Sequence, residues 1–171
     1  MKKARDAKAK LKAFSVYLDD RDGYTPGWKF NEWELKGVPL RIEVGPRDVA
    51  KNQVVMVRRD TGKKEAVKLG QIEEKAKSLL EDIQQQLFRR AENFLKSSIV
   101  EVKDWKGFEA AINRKMIAAA MHCGERKCEE EMQQKTGATA RLIPFKQPRQ
   151  PGKCLRCGNK AVYQVYFGRA Y

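Results

Sequence analysis

Four cysteines are the residues whose spacing most directly implies chemistry. Cys123 and Cys128 form a C-x4-C pair, Cys154 and Cys157 form a C-x2-C pair, and 25 residues separate the two pairs. Brought together by a fold, two such pairs supply four thiolates in a tetrahedron, the arrangement that suits a zinc ion. Gly158 follows Cys157, and a glycine there lets backbone amides approach the sulfurs. Lys127, Lys153 and Arg156 stand close by in sequence and favour thiolate over thiol. Four sulfur ligands leave no open coordination position, so such a site organises structure and does not activate water. Two disulfides are the alternative. A redox-active pair is open to Cys154 and Cys157 alone, but it leaves the first pair unexplained. His122, the single histidine, could replace one sulfur. Beside a complete set of cysteines it is expected to be a bystander.

A second constellation is TPGWKFNEWELKGVPLRIEVGPRD, residues 25–48. It mixes aromatic rings (Trp28, Phe30, Trp33), bases (Lys29, Lys36, Arg41, Arg47) and acids (Glu32, Glu34, Glu43, Asp48). Single-stranded RNA is met by this mixture: bases stack on rings, guanidinium groups hold phosphates or guanine edges, and carboxylates accept from base N–H groups. Trp28 and Trp33 are expected in the core, while Phe30 is open to either role.

The elements that must position these residues follow from periodicity. Residues 2–11 read as a helix with Ala4, Ala7 and Leu11 on one face, and Phe14, Val16 and Leu18 alternate as a short strand. A turn-rich stretch (18–27) precedes a short helix over 30–37, ended by Gly37. Strands are expected over 38–45, 52–59 and 65–69, the last two joined by a hairpin-type turn at 60–63. Ile72, Ala76, Leu79, Leu80, Ile83, Leu87, Ala91, Phe94 and Leu95 form an apolar stripe on a long core-packing helix. After a break near Ser97–Ser98 a second helix starts at Asp104 and buries Trp105, Phe108, Ala111 and Ile112. Two strand-like runs, ATARLIPF and AVYQVYF, flank a loop holding Pro148 and Pro151. The fold class is therefore α/β, with a mixed sheet followed by a small α+β domain, and the boundary is placed near residue 98.

Composition narrows the function classes. The chain has 171 residues, 42% hydrophobic and 34% charged, which excludes wholesale disorder. Thirty-six basic against 22 acidic residues give a net charge of +14, which attracts polyanions, nucleic acid before an anionic membrane surface. No apolar run approaches the roughly 18–20 residues that cross a bilayer. The N-terminal stretch MKKARDAKAKLK lacks the apolar segment of a secretory signal and makes a poor transit peptide, so a reducing, cytoplasmic location is expected.

GWKFNEWELKGVPLRIEVGPRD closely resembles the anticodon-binding domain of prolyl-tRNA synthetases in their archaeal and eukaryotic-like form. The resemblance continues through VVMVRRDTGKK, the long helix, MHCGERKCEEEMQQKTGATARLIPF, GKCLRCGNKA and YFGRAY. It implies an anticodon-binding domain over 1–98, lacking its first strand, and a C-terminal zinc-binding domain over 99–171. It implies that Phe30 stacks on an anticodon base. Glu34, Arg41, Arg47 and Asp48 would then read the two guanines shared by proline anticodons. The four cysteines match the family's zinc ligands, and Tyr171 matches its terminal tyrosine, whose carboxylate lies toward the catalytic domain. The implied partners are tRNA(Pro), a class II catalytic domain that uses ATP, and a second subunit in a homodimer. No class II motif for ATP and no proline pocket is legible in these residues, so they are not expected to make prolyl-tRNA alone. A free-standing RNA-binding module is the alternative function.

Overall fold

The computed structural model describes residues 1–149 and 152–170. Tyr171 and Pro151, both singled out above, lie outside the described residues. The chain divides into two compact units, Met1–Arg90 and Ala91 onward, and the division falls inside one helix.

The first unit opens with α1 (Lys2–Ala9), followed by α2 (Pro26–Leu35), β1 (Leu40–Glu43), α3 (Pro46–Ala50), β2 (Gln53–Arg58) and β3 (Lys64–Lys68). The first 19 residues of α4 (Ile72–Ser98), up to Arg90, complete it. Its three strands form an antiparallel sheet in the order β1-β2-β3, and the mixed sheet lies in the second unit. The central strand places Val54 and Met56 on one face by its period of two. They meet Ala7 and Leu11 of the first helical segment and Ile72, Ala76 and Leu79 of α4.

Several elements differ from the sequence reading. α2 starts four residues earlier, because Thr25 caps it through its hydroxyl and Pro26 occupies the first helical position, where no N–H is needed. Gly37 ends it as expected, with φ +83. Phe14, Val16 and Leu18 alternate as half-buried side chains but form no strand, so the alternation reports burial without ladder pairing. Trp28 is not in the core: it is 45% exposed and stacks on Tyr24 at 4.2 Å between ring centroids. Trp33 is half-buried, with its indole N–H donating to Asp19 at 2.9 Å. The stripe of α4 is buried only through Ile83, and Leu87, Phe94 and Leu95 are exposed.

The second unit contains β4 (Ile99–Glu101), α5 (Trp105–Asn113), β5 (Ile117–His122), α6 (Arg126–Thr136), β6 (Ala138–Leu142) and β7 (Tyr163–Arg169). Its sheet order is β4-β5-β7-β6, with β4 parallel to β5 and the other pairs antiparallel. Asp104 caps α5, its carboxylate accepting from Gly107 N–H at 2.7 Å. Phe108 and Ile112 of α5, Met132 of α6 and Phe167 of β7 join Ala118 and Ala120 in one apolar cluster. β5 and α6 were not anticipated. IAAAMH lacks alternation because the strand is central, with Ala118, Ala119 and Ala120 buried on both faces. In α6 the buried residues are Cys128, Met132 and Thr136, a four-residue repeat hidden among polar neighbours.

One charge cluster ties β2 to α4: Arg58 and Asp60 are buried, and Asp82 on the helix is half-exposed. Arg58 donates to both oxygens of Asp60, at 3.0 and 2.8 Å, and to Asp82 on the helix. Arg58 holds the carboxyls of Asp60 and Asp82 below the ordinary carboxylate range. Their folded values lie below the unfolded ones, so this stabilisation is complete above about pH 4 and is lost as pH falls through the lowered values. Arg58→Ala should destabilise the first unit by about 3 kcal/mol, because it strands a carboxylate that is only 8% exposed. Thermal melts from about pH 7 down to about pH 2 should also show a shallower acid dependence in the variant.

Candidate functional site

Two side-chain clusters carry chemistry, one in each unit. In the second unit the four cysteines converge. Cys123 follows β5, Cys128 lies in the first turn of α6, and Cys154 and Cys157 lie in the loop before β7. Their sulfurs all lie within 4.8 Å of one another, with Cys123 at 3.6 Å from Cys128 and 3.8 Å from Cys157. A tetrahedral site with metal–sulfur bonds of about 2.3 Å has sulfur–sulfur edges of about 3.8 Å, so the spacing fits a four-thiolate metal site. It does not fit two disulfides, and all four thiols are free. The four cysteines could therefore hold a metal ion.

The surrounding backbone builds the cage. Gly124 and Gly158 adopt φ +88 and +76, turning the chain sharply after each outer cysteine. Gly158 N–H reaches the Cys154 carbonyl at 2.9 Å, and Leu155 N–H reaches the Met121 carbonyl on β5 at 2.9 Å. Burial pushes the Cys154 thiol up, but the backbone N–H groups of Cys157, Arg156 and Cys123 outweigh it and bring the value to about 7. Burial raises Cys123 and Cys128, and sulfur neighbours push Cys128 further. The expected help from nearby cations is indirect, since Arg156 pairs with Glu131 at 2.7 Å and lies over Trp105 at 5.5 Å. Leu155 packs on the apolar cluster, so the C-x2-C turn is stitched to the core. His122 contributes no atom to the cluster of four sulfurs. It is buried, and burial lowers its pKa.

In the first unit Phe30, Glu34 and Arg41 come together. Phe30 and Glu34 are one turn apart on α2, and Arg41 rises from β1. The Arg41 guanidinium carbon lies 4.1 Å from the centre of the Phe30 ring. Arg41 donates to Glu43 at 3.0 Å and to Glu34. Glu43 completes the cluster and was not singled out as a site residue. The signal for it was its position two residues after Arg41, on the same strand face. Lys64 stands 3.7 Å from Glu43, and exposed Arg59 lines a small pocket with Trp33, Glu34, Val38, Arg41 and Val57. Arg47 and Asp48 sit apart on α3 and make no hydrogen bond or ion pair to the Arg41 cluster among the described residues. Arg47 is exposed, and Asp48 accepts from Gln53 at 3.2 Å.

A stacked guanidinium with carboxylates at its edge offers a plane, donors and acceptors together. That set matches a guanine base, which presents O6 and N7 as acceptors and N–H groups as donors. A ring of Asp19, Arg21, Glu32 and Trp33 contacts fastens the preceding loop to the other side of α2.

Residues 1–79 match the family described as the anticodon binding domain, and residues 105–171 match the family described as prolyl-tRNA synthetase, C-terminal. Among curated relatives, the proline–tRNA ligase of Alkaliphilus oremlandii is 46% identical over 171 residues, covering 99% of this chain. Those of Lachnoclostridium phytofermentans and Ruminiclostridium cellulolyticum are 42% and 44% identical, each covering 100% of it. The chain spans 36% of the length of each of these three relatives.

Replacing Cys154 with Ser, or treating metal-loaded protein with a chelator, should open the second unit to protease while residues 1–79 stay intact. Mass mapping of the cleavage sites checks this, and undiminished resistance within 105–169 would show that the cage needs no metal.

Proposed function

Since the chain carries the anticodon-binding and C-terminal domains of proline–tRNA ligases, we propose that it binds the anticodon of tRNA(Pro) through its first unit and a structural zinc ion through its second. The observation that carries the first part is Arg41, stacked on Phe30 and held between Glu34 and Glu43. Phe30 supports the guanidinium plane, and an unpaired base extends the stack. Arg41 donates to the acceptors of a guanine, and Glu34, 46% exposed, accepts from its N–H groups. Arg47 and Asp48 serve the neighbouring guanine from α3. The functional boundary falls near residue 98, with the anticodon-binding part before it.

Zinc is the metal that best suits four sulfurs. Cys123, Cys128, Cys154 and Cys157 would hold it, and when bound it supplies a closed structural node. In longer proteins of the family, a class II catalytic domain joins proline to tRNA(Pro) with ATP, in a cytoplasmic homodimer. The residues here contribute recognition and perform no bond making. The motif over 28–48 supports a reading of the chain as the archaeal and eukaryotic-like form. A free-standing RNA-binding module has no separate observation in its favour.

Phe30→Ala should weaken binding of a tRNA(Pro) anticodon stem-loop by about 1–3 kcal/mol. Arg41→Ala should cost about 1–3 kcal/mol and relax the preference for guanine. Titrations with stem-loops carrying guanine or adenine at the read positions measure both effects. An equal loss on every stem-loop would remove specific readout from Arg41.

A further inference from the structure

His122 lies directly beside the four-sulfur cluster without belonging to it. It ends β5, precedes Cys123, and is only 4% exposed. Its backbone is fastened to the partner strand: it registers with Tyr163, and its carbonyl accepts from Val162 N–H at 2.8 Å. Its ring lies against Tyr163 and Phe167, at 6.5 and 5.8 Å between centroids.

The polar contact of that ring is local and specific. Nδ1 accepts a hydrogen bond from Gly124 N–H at 3.1 Å. A nitrogen that accepts carries no proton, so the neutral ring bears its proton on Nε2. Gly124 is the residue whose φ of +88 turns the chain between Cys123 and α6. A Cβ at Gly124 would stand 3.2 Å from the Tyr163 hydroxyl oxygen, so the turn is also confined from outside. The imidazole, the Gly124 amide and the Tyr163 ring therefore interlock behind Cys123.

We propose that His122 is a positioning residue for the metal site, holding the Cys123–Gly124 turn in the conformation that closes the four-sulfur cage without touching the ion. The proposal rests on the metal reading given above. With no acceptor at position 122, the Gly124 amide loses its partner and the Cys123 sulfur loses the restraint that sets its distances to Cys128 and Cys157.

The test is zinc affinity of the full chain, measured by competition with a chromogenic chelator, together with the melting temperature of the zinc-loaded protein. His122→Phe keeps the ring volume and removes the acceptor. It should bind zinc roughly 10- to 100-fold more weakly, as loss of an outer hydrogen-bond partner does at other metal sites. His122→Asn returns an acceptor oxygen near the Nδ1 position and removes most of the ring. It should keep zinc affinity within about threefold of wild type but melt lower than the Phe variant. A residue that matters only for packing gives the same ranking in both measurements. Wild-type affinity in the Phe variant, or Asn binding as weakly as Phe, overturns the proposal. If the Phe variant fails to fold even at saturating zinc, Asn against Ala decides: the proposal requires Asn to bind at least about tenfold tighter. A wild-type chain that holds no zinc overturns the metal reading itself, an outcome distinct from tight zinc with an indifferent residue 122.

Discussion

Four sulfurs crowded into one small volume repel one another once ionised, and the second unit is arranged around resolving that repulsion. The sulfurs arrive from three places: the end of β5, the first turn of α6 and the turn before β7. Burial opposes ionisation of Cys123 and Cys128, while backbone amides favour it at Cys154. A cation at the centre would reconcile these tendencies. The sheet order β4-β5-β7-β6 sends β7 back between β5 and β6, and the C-x2-C turn is the point from which it enters. Leu155 reaches the apolar cluster from that turn, and Arg156 reaches Trp105 on α5. The four-cysteine cluster and the hydrophobic core are thus joined through Leu155 and Arg156.

The first unit solves its linkage problems with guanidinium groups. Arg58 and Arg41 each bridge two carboxylates, yet their surroundings assign them different work. Arg58 is buried with Asp60 and reaches half-exposed Asp82, which fastens β2 to α4. Arg41 faces a ring on one side, and one of its carboxylates, Glu34, is open to solvent. Asp82 and Glu34 are similarly exposed, at 47% and 46%, so what sets Arg41 apart is the aromatic ring it lies over.

Spacing made some of this legible in the residues and left other parts hidden. The cysteine pairs announced their meeting because only a few chemistries use four thiols at such intervals. The Phe30, Glu34 and Arg41 grouping was legible through the family motif, since periodicity alone places Phe30 and Glu34 on one helix face but does not say what β1 brings to them. Glu43 stood among the acids of the motif, but nothing local distinguishes a strand carboxylate that pairs with Arg41 from one that is merely solvated. The strand β5 stayed hidden because burial on both faces erases alternation. Trp28 misled through its type: a large ring suggests a core position, but it stacks at the surface on Tyr24, beside an Arg21 that is itself tied to Asp19 and Glu32. The lower half of the α4 stripe misled in the same way, since a periodic apolar face states what could be covered and not what covers it.

Because Arg41 is already flanked by Glu34 and Glu43, its charge is largely compensated inside the protein. A nucleic acid arriving there exchanges one set of hydrogen bonds for another and gives up few condensed counterions on its account. Its contribution to binding should therefore be nearly indifferent to ionic strength, even in a chain carrying +14. The salt-sensitive share would fall to cations that form no ion pair among the described residues, such as exposed Arg47 and Arg59. If RNA binds as proposed, raising salt would thin out loosely held RNA sooner than RNA engaged by the Phe30–Arg41 stack, and ionic strength would then sharpen selectivity.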